Sequence, residues 1–182
     1  MRLILVRHGE PDGPWGSDPD PGLDARGHEQ ANAMAEALAS IGPLPIRVSP
    51  KRRTLETAAP LAARWAAAPT VDAGLGELTA PPDPDPDHVT WLRRLVTGLG
   101  TDAPEVMVPF RERVLGAIRS ITTDTVVVTH YLAINAIVGA ATDDDRVTVF
   151  APGHCSRTVI DSVDGVLRLV ELGERAGGGP RV

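Results

Sequence analysis

Leu3-Ile4-Leu5-Val6-Arg7-His8-Gly9-Glu10 decides the reading of this chain: a short apolar run that ends on an arginine, a histidine and a glycine. Apolar residues at consecutive positions, without polar alternation, describe a strand covered on both faces, as in parallel sheets flanked by helices. Open sheets of that kind hold ligands beyond the carboxyl ends of their strands. There an imidazole can attack an electrophile, and a guanidinium offers a planar fork of donors that fits phosphate oxygens. Phosphate chemistry is the first hypothesis, although the tetrapeptide alone also describes a hydrogen-bonded loop histidine.

The chain has 182 residues, 42% of them hydrophobic, enough for one sizeable core. A net charge of -6 without a lysine- or arginine-rich block argues against a nucleic-acid partner, so an anionic ligand would need a local cluster of positive charge. The single Cys155 excludes an internal disulfide. With no signal-type leader and no apolar run long enough to cross a bilayer, a soluble, cytoplasmic protein with no membrane partner is expected.

Outward from the first strand, Thr125 to Thr129 is a second buried strand, and Arg47-Val48 near Ile46 and Thr70 to Asp72 are shorter candidates. The spacing predicts a helix over Asp24 to Ile41, capped by Asp24, stopped by Gly42-Pro43, and burying Ala31, Met34, Ala35, Leu38 and Ile41. A second helix is expected to start on Ser49-Pro50 and turn Leu55, Ala58, Ala59, Ala62 and Trp65 inward. Pro81 to Asp87 reads as an exposed loop, because proline lacks a donor and aspartate favours turns. Val89 to Leu99 and Pro104 to Ile121 read as helices, the second burying Met107, Phe110, Val114, Ala117 and Ile121. Val163-Asp164-Gly165 reads as the turn of a closing hairpin. The result is one α/β domain over residues 1–172, a three-layer sandwich with a mainly parallel sheet and helices on both faces. Within it 80–105 is a candidate lid or substrate-specificity insertion, and 173–182 reads as a disordered tail.

Three further elements carry chemistry. Ser49-Pro50-Lys51-Arg52-Arg53 puts basic side chains at a helix start, against the helix dipole unless an anion lies nearby. Lys51 and Arg52 read as a solvated turn, and Arg53 is the pocket candidate. His130 ends the buried run Val126-Val127-Val128-Thr129, so it would face the same crevice as His8 if the strands are neighbours. If cationic, it could hold a phosphoryl oxygen; a core histidine satisfied by a carbonyl is the alternative. Glu77, on a glycine-punctuated segment, is either a surface carboxylate or the proton donor that phosphoester cleavage requires.

These stretches, with Gly22-Leu23-Asp24-Ala25-Arg26-Gly27-His28-Glu29-Gln30-Ala31, Thr57-Ala58 and Leu75-Gly76-Glu77, resemble the histidine phosphatase superfamily, its phosphoglycerate mutase-like branch, in order over roughly three quarters of the chain. Gly153-His154-Cys155-Ser156 and the hairpin look like the family's closing strands. The resemblance implies a phosphoglycerate mutase-like fold with His8 as the nucleophile and Glu77 as acid and later base. Arg7, Arg53 and His130 would clamp the phosphate of a small phosphorylated substrate, with no metal and no cofactor. In-line phosphoryl transfer asks for positioning and charge neutralisation, which this set supplies.

The chain departs from the family in three places. Tyr131-Leu132 follows His130 where small residues are usual, so the tyrosine either narrows the pocket or contacts substrate. The segment after Glu77 lacks the family's frequent tryptophan, and Pro11 to Trp15 replaces the continuation typical of glycolytic mutases, which favours hydrolysis over mutase activity. Trp15 joins Tyr131 as a candidate substrate contact, with Trp91 to Arg94 a further specificity element. Two rivals stand beside the phosphatase reading: a metal site on His8, His130 and Glu77, crowded by Arg7 and Arg53, and a phosphate-ligand binder or scaffold with weak or no catalysis. No heptad seam is evident, so the oligomeric state stays open.

Overall fold

The computed structural model describes residues 1–13, 18–79, 87–97 and 103–177. In chain order the elements are β1 (Arg2–Arg7), α1 (Ala25–Leu38), β2 (Ile46–Val48), α2 (Arg52–Trp65), β3 (Thr70–Val71), α3 (His88–Val96), α4 (Ala103–Arg119), β4 (Thr125–Thr129), α5 (Tyr131–Thr142), β5 (Arg157–Val163) and β6 (Val166–Glu171). They build one six-stranded sheet in the order β3-β2-β4-β1-β5-β6. Strands β3, β2, β4 and β1 run parallel, and the hairpin β5–β6 adds antiparallel to β1. The hairpin turns on Asp164 and Gly165, both at positive φ (52° and 79°), the pairing that a type I′ turn demands.

Alternate residues of β1 feed opposite layers. Ile4 and Val6 join Val126, Val128, Ile46 and Val48 under α1 and α2, whereas Leu3, Leu5 and Val127 pack beneath α4 and α5. The mainly parallel, three-layer architecture is therefore present in a single domain. Among the described residues no helix is long and apolar enough to cross a membrane.

Helix α1 starts as its sequence predicts, Asp24 accepting from the Gly27 amide at 2.6 Å. Its chain continues through a 3-10 turn over Ala39–Ile41, which turns Ile41 out to 42% exposure, against the expectation that it is buried. Helix α2 corrects the sequence reading more deeply. It begins at Arg52 with Lys51 in the cap position, not on Ser49-Pro50, and its buried face is Thr54, Thr57, Ala58, Leu61 and Ala62. Leu55 and Ala59 are exposed. The threonines can be buried because each hydroxyl is satisfied locally, Thr54 on the Ser49 and Lys51 carbonyls and Thr57 on the Arg53 carbonyl.

Helix α3, inside the candidate lid, contributes Trp91, Leu92, Leu95 and Val96 to the core shared with α4 and α5. The proline-rich loop at 80–86 lies outside the described residues, as do 98–102. The expected disorder of the tail does not extend to its first residues: Gly173 donates to Thr158, Glu174 accepts from Gly153, and Ala176 donates to Ala151. Residues 178–182 lie outside the described residues.

Candidate active site

Register places the two histidines side by side. Arg7 lies opposite Thr129 in the parallel β1–β4 pair, so His8 and His130 both stand one residue beyond the sheet's carboxyl edge. Their ring centroids are 5.3 Å apart. Two glycines make this corner possible: a Cβ on Gly9 would press on the Gly27 carbonyl at 2.7 Å, and one on Gly27 would overlap the Glu10 carbonyl. Thr57 ties the same corner to α2 by accepting from the Gly9 amide at 2.9 Å.

The hydrogen bonds fix both tautomers. His8 Nδ1 lies 2.7 Å from the Gly9 carbonyl, which can only accept, so Nδ1 carries the proton and Nε2 is the basic nitrogen. At His130, Arg53 Nη2 lies 3.3 Å from Nδ1; a guanidinium only donates, so Nδ1 is bare and Nε2 gives its proton to Ser49 Oγ at 2.7 Å. Both rings are held well below the usual imidazole range. Burial is the first cause for each; at His8 the nearby His130 ring, whose protonation would compete with its own, and the guanidinium groups of Arg7 and Arg53 add to it, and at His130 the charges of Arg53, Lys51, Arg7 and Arg113 do. His130 is thus neutral in this state, not the cation that the sequence reading entertained.

Arg7 donates through Nη1 to the Pro152 carbonyl at 2.8 Å, while its Nε is buried with no partner. Burial lowers its pKa to about 10. Arg53, its side chain 12% exposed, is also lowered by burial and partly restored by the charges of Glu77 and Asp20. Glu77 accepts from its neighbour Leu78 at 3.0 Å and from Leu132, in the first turn of α5, at 3.1 Å. Burial nevertheless raises its pKa, outweighing those two amides and the charges of Arg53 and Arg7. The corner therefore combines a bare imidazole nitrogen, two half-buried guanidinium groups and a carboxyl biased toward its protonated form. That set can receive a tetrahedral dianion, take a phosphoryl group and return a proton.

The structure thus brings together His8, Glu77, Arg7, Arg53 and His130, and Tyr131 packs beside them. Trp15 lies outside the described residues. Among the described residues no three His, Cys, Asp or Glu side chains are grouped so that they could hold a metal ion, which leaves the His8, His130 and Glu77 alternative without a formed ligand set. The anion that answers the basic start of α2 is Asp20: it accepts from the Arg52 amide at 3.1 Å and lies 3.9 Å from Arg53. Ser49, read in sequence as a helix cap, instead fixes the second histidine. Asn135 was overlooked as well: fully buried, it accepts from the amides of Val149 and Phe150 and donates to the Tyr131 carbonyl. A lone amide within the apolar run Leu132 to Ala141 was the available signal.

The family described as the histidine phosphatase superfamily (branch 1) matches residues 3–175. A PE-PGRS family protein, PE_PGRS11 of Mycobacterium tuberculosis (strain ATCC 25618 / H37Rv), is 46% identical over 84 residues, 43% of this chain and 14% of its own length. The chain therefore spans about one seventh of that curated relative. Among solved structures, the alpha-ribazole phosphatase of Shigella flexneri superposes with a TM-score of 0.78 at 20% identity, covering 100% of both chains. A mycobacterial glucosyl-3-phosphoglycerate phosphatase, Rv2419c, superposes with a TM-score of 0.72 at 24% identity, covering 96% of this chain and 99% of its own. At these identities the structural likeness speaks for the fold. With a family match over nearly the whole length, the chain belongs to the histidine phosphatase superfamily, branch 1.

Proposed function

We propose that this chain is a metal-independent phosphomonoester hydrolase that acts through a phosphohistidine at His8 on a small phosphorylated metabolite. The observation that carries the reading is the fixed His8 tautomer: the Gly9 carbonyl holds the Nδ1 proton and leaves Nε2 with its lone pair, among Arg7, Arg53 and His130. A site that merely bound phosphate would gain nothing from a deprotonated nitrogen beside the dianion.

In the proposed cycle Nε2 forms a bond to phosphorus as the ester P–O bond breaks, and Glu77 gives its proton to the departing alkoxide. The phosphoryl oxygens meet Arg7, whose buried Nε lacks a partner, and Arg53, which turns from His130. Water then attacks the phosphohistidine, its proton passing to Glu77, and phosphate leaves with His8 neutral again. A cation in the same place would face two guanidinium groups, which supports the metal-independent form of the reading.

The test uses p-nitrophenyl phosphate and rapid acid or alkaline quench. Wild-type protein should release nitrophenolate and carry an acid-labile, alkali-stable phosphoryl label; His8→Ala should do neither while melting within a few degrees of wild type. Turnover by His8→Ala near the wild-type rate sinks the proposal. A panel of phosphometabolites, with His8→Ala as blank, then identifies the leaving group.

A further inference from the structure

Arg7 is a half-buried guanidinium, its Nε fully enclosed, without an ion-pair partner among the described residues. One carbonyl takes Nη1, Nε is orphaned, and the Glu77 carboxylate acts on it only as a nearby charge. A charge so placed is costly unless something else offsets it and holds its plane. What lies against it is the Tyr131 ring, whose centroid is 5.2 Å from Arg7 Cζ. At that distance the negative face of an aromatic ring attracts a cation, more strongly where both are desolvated.

Three observations separate this role from both sequence expectations for Tyr131. The residue is only 9% exposed and its ring belongs to the cluster formed with α3, α4 and α5, so it does not reach out to a ligand. Its hydroxyl is buried beside Thr148, whose own hydroxyl donates to the Val96 carbonyl, and it makes no close hydrogen bond. Its backbone is pinned, because Asn135 Nδ2 donates to the Tyr131 carbonyl at 2.9 Å. The ring, not the phenol, is what lies against Arg7.

We infer that Tyr131 is a positioning residue for Arg7: its ring face fixes the guanidinium on one side while the Pro152 carbonyl fixes it on the other, aligning the clamp for a phosphoryl group. The inference rests on the phosphatase reading of the site. Sequence geometry supports it, because Arg7 follows Leu3 and Leu5 onto the α5 face of the sheet, where the residue after His130 begins that helix.

The experiment compares Tyr131→Phe, Tyr131→Leu and the volume-filling Tyr131→Met, with orthovanadate inhibition of p-nitrophenyl phosphate turnover and calorimetric vanadate binding as readouts. Phenylalanine should hold vanadate within about twofold of wild type, whereas leucine and methionine should weaken it roughly 5- to 30-fold at temperatures well below their melting points. Binding in an Arg7→Gln background should be lower still but respond to Tyr131→Leu by less than about twofold, since no cation remains for the ring to hold. Equal affinities for the phenylalanine and leucine proteins, or an undiminished leucine effect in the Arg7→Gln background, overturn the inference while wild-type turnover leaves the phosphatase reading standing. A large loss in Tyr131→Phe overturns it in favour of a phenol contact. A wild-type protein that neither turns over nor binds vanadate defeats both.

Discussion

Replacing Asn135 by alanine should cost far more than its single amide group suggests, because one side chain closes three hydrogen bonds at the back of the site. Oδ1 accepts from the amides of Val149 at 2.7 Å and Phe150 at 3.0 Å, and Nδ2 donates to the Tyr131 carbonyl at 2.9 Å. Asn135 and Phe150 are buried, at 0% and 3% exposure, so water has poor access to the abandoned amides. An unsatisfied buried amide costs about 1–3 kcal/mol, the Val149 amide falls at the low end because that residue is half-buried, and the sum is about 3 kcal/mol. For a chain of this size that is a fall in Tm of roughly 6–12 °C. Urea unfolding should show the midpoint lowered with the slope unchanged. Asn135→Asp is the informative control, since it keeps the acceptors but turns an oxygen toward the Tyr131 carbonyl; it should be destabilised at neutral pH and recover part of the loss on acidification, once a carboxyl proton replaces the missing donor. Stability of Asn135→Ala within about 1 kcal/mol of wild type would show that the Val149 to Pro152 segment is held by other means.

Stability should fall as pH drops from about 7.5 to 5: His8 and His130 are neutral when folded but titrate near 6.5 when unfolded, so the unfolded chain takes up protons that the folded one refuses. Two such groups give at most about 2.7 kcal/mol per pH unit. Glu77 opposes them, because its raised folded pKa contributes stability at low pH that is lost as pH rises through that value, so the net slope is expected to fall below that limit. A chemical-denaturation series showing flat stability over this interval would mean that the imidazoles are not buried and neutral. Glu77→Gln should slow the burst with alkyl phosphates by roughly 100-fold or more and with p-nitrophenyl phosphate by far less, since nitrophenolate needs no proton; equal losses in the burst would remove Glu77 from the acid role.

The sheet and its ligand edge were legible because their signals are local. Consecutive apolar residues in Leu3 to Val6 and Thr125 to Thr129 mark strands buried on both faces, and Asp24 and Asp164-Gly165 carry their cap and turn in their own chemistry. The errors arose where a local rule met a distant partner. Ser49-Pro50 has the form of a helix start, yet the Ser49 hydroxyl is taken by His130, 81 positions away, and the helix opens at Arg52. That shift rotates the buried face from Leu55 and Ala59 to Thr54, Thr57 and Leu61. The basic cluster did call for an anion, but a carboxylate from the loop before α1 answers it, which periodicity has no means of revealing.

The same contrast explains how the site divides its work between layers. Arg7 and His8 are adjacent in sequence, so the alternation of a strand sends one toward α5 and the other toward α1 and α2. Arg7 accordingly meets Tyr131 and the Pro152 carbonyl, while His8 meets the Gly9 carbonyl and the second histidine, with the Gly9 amide tied to Thr57 of α2. His130 repeats the pattern from β4 and reaches Arg53 and Ser49. A single-residue slip between β1 and β4 would exchange these faces and separate the imidazoles, although every motif would remain in the chain. The chemistry therefore depends on the Arg7–Thr129 register as much as on the residues themselves, and that register is set by the two cores that sandwich the sheet.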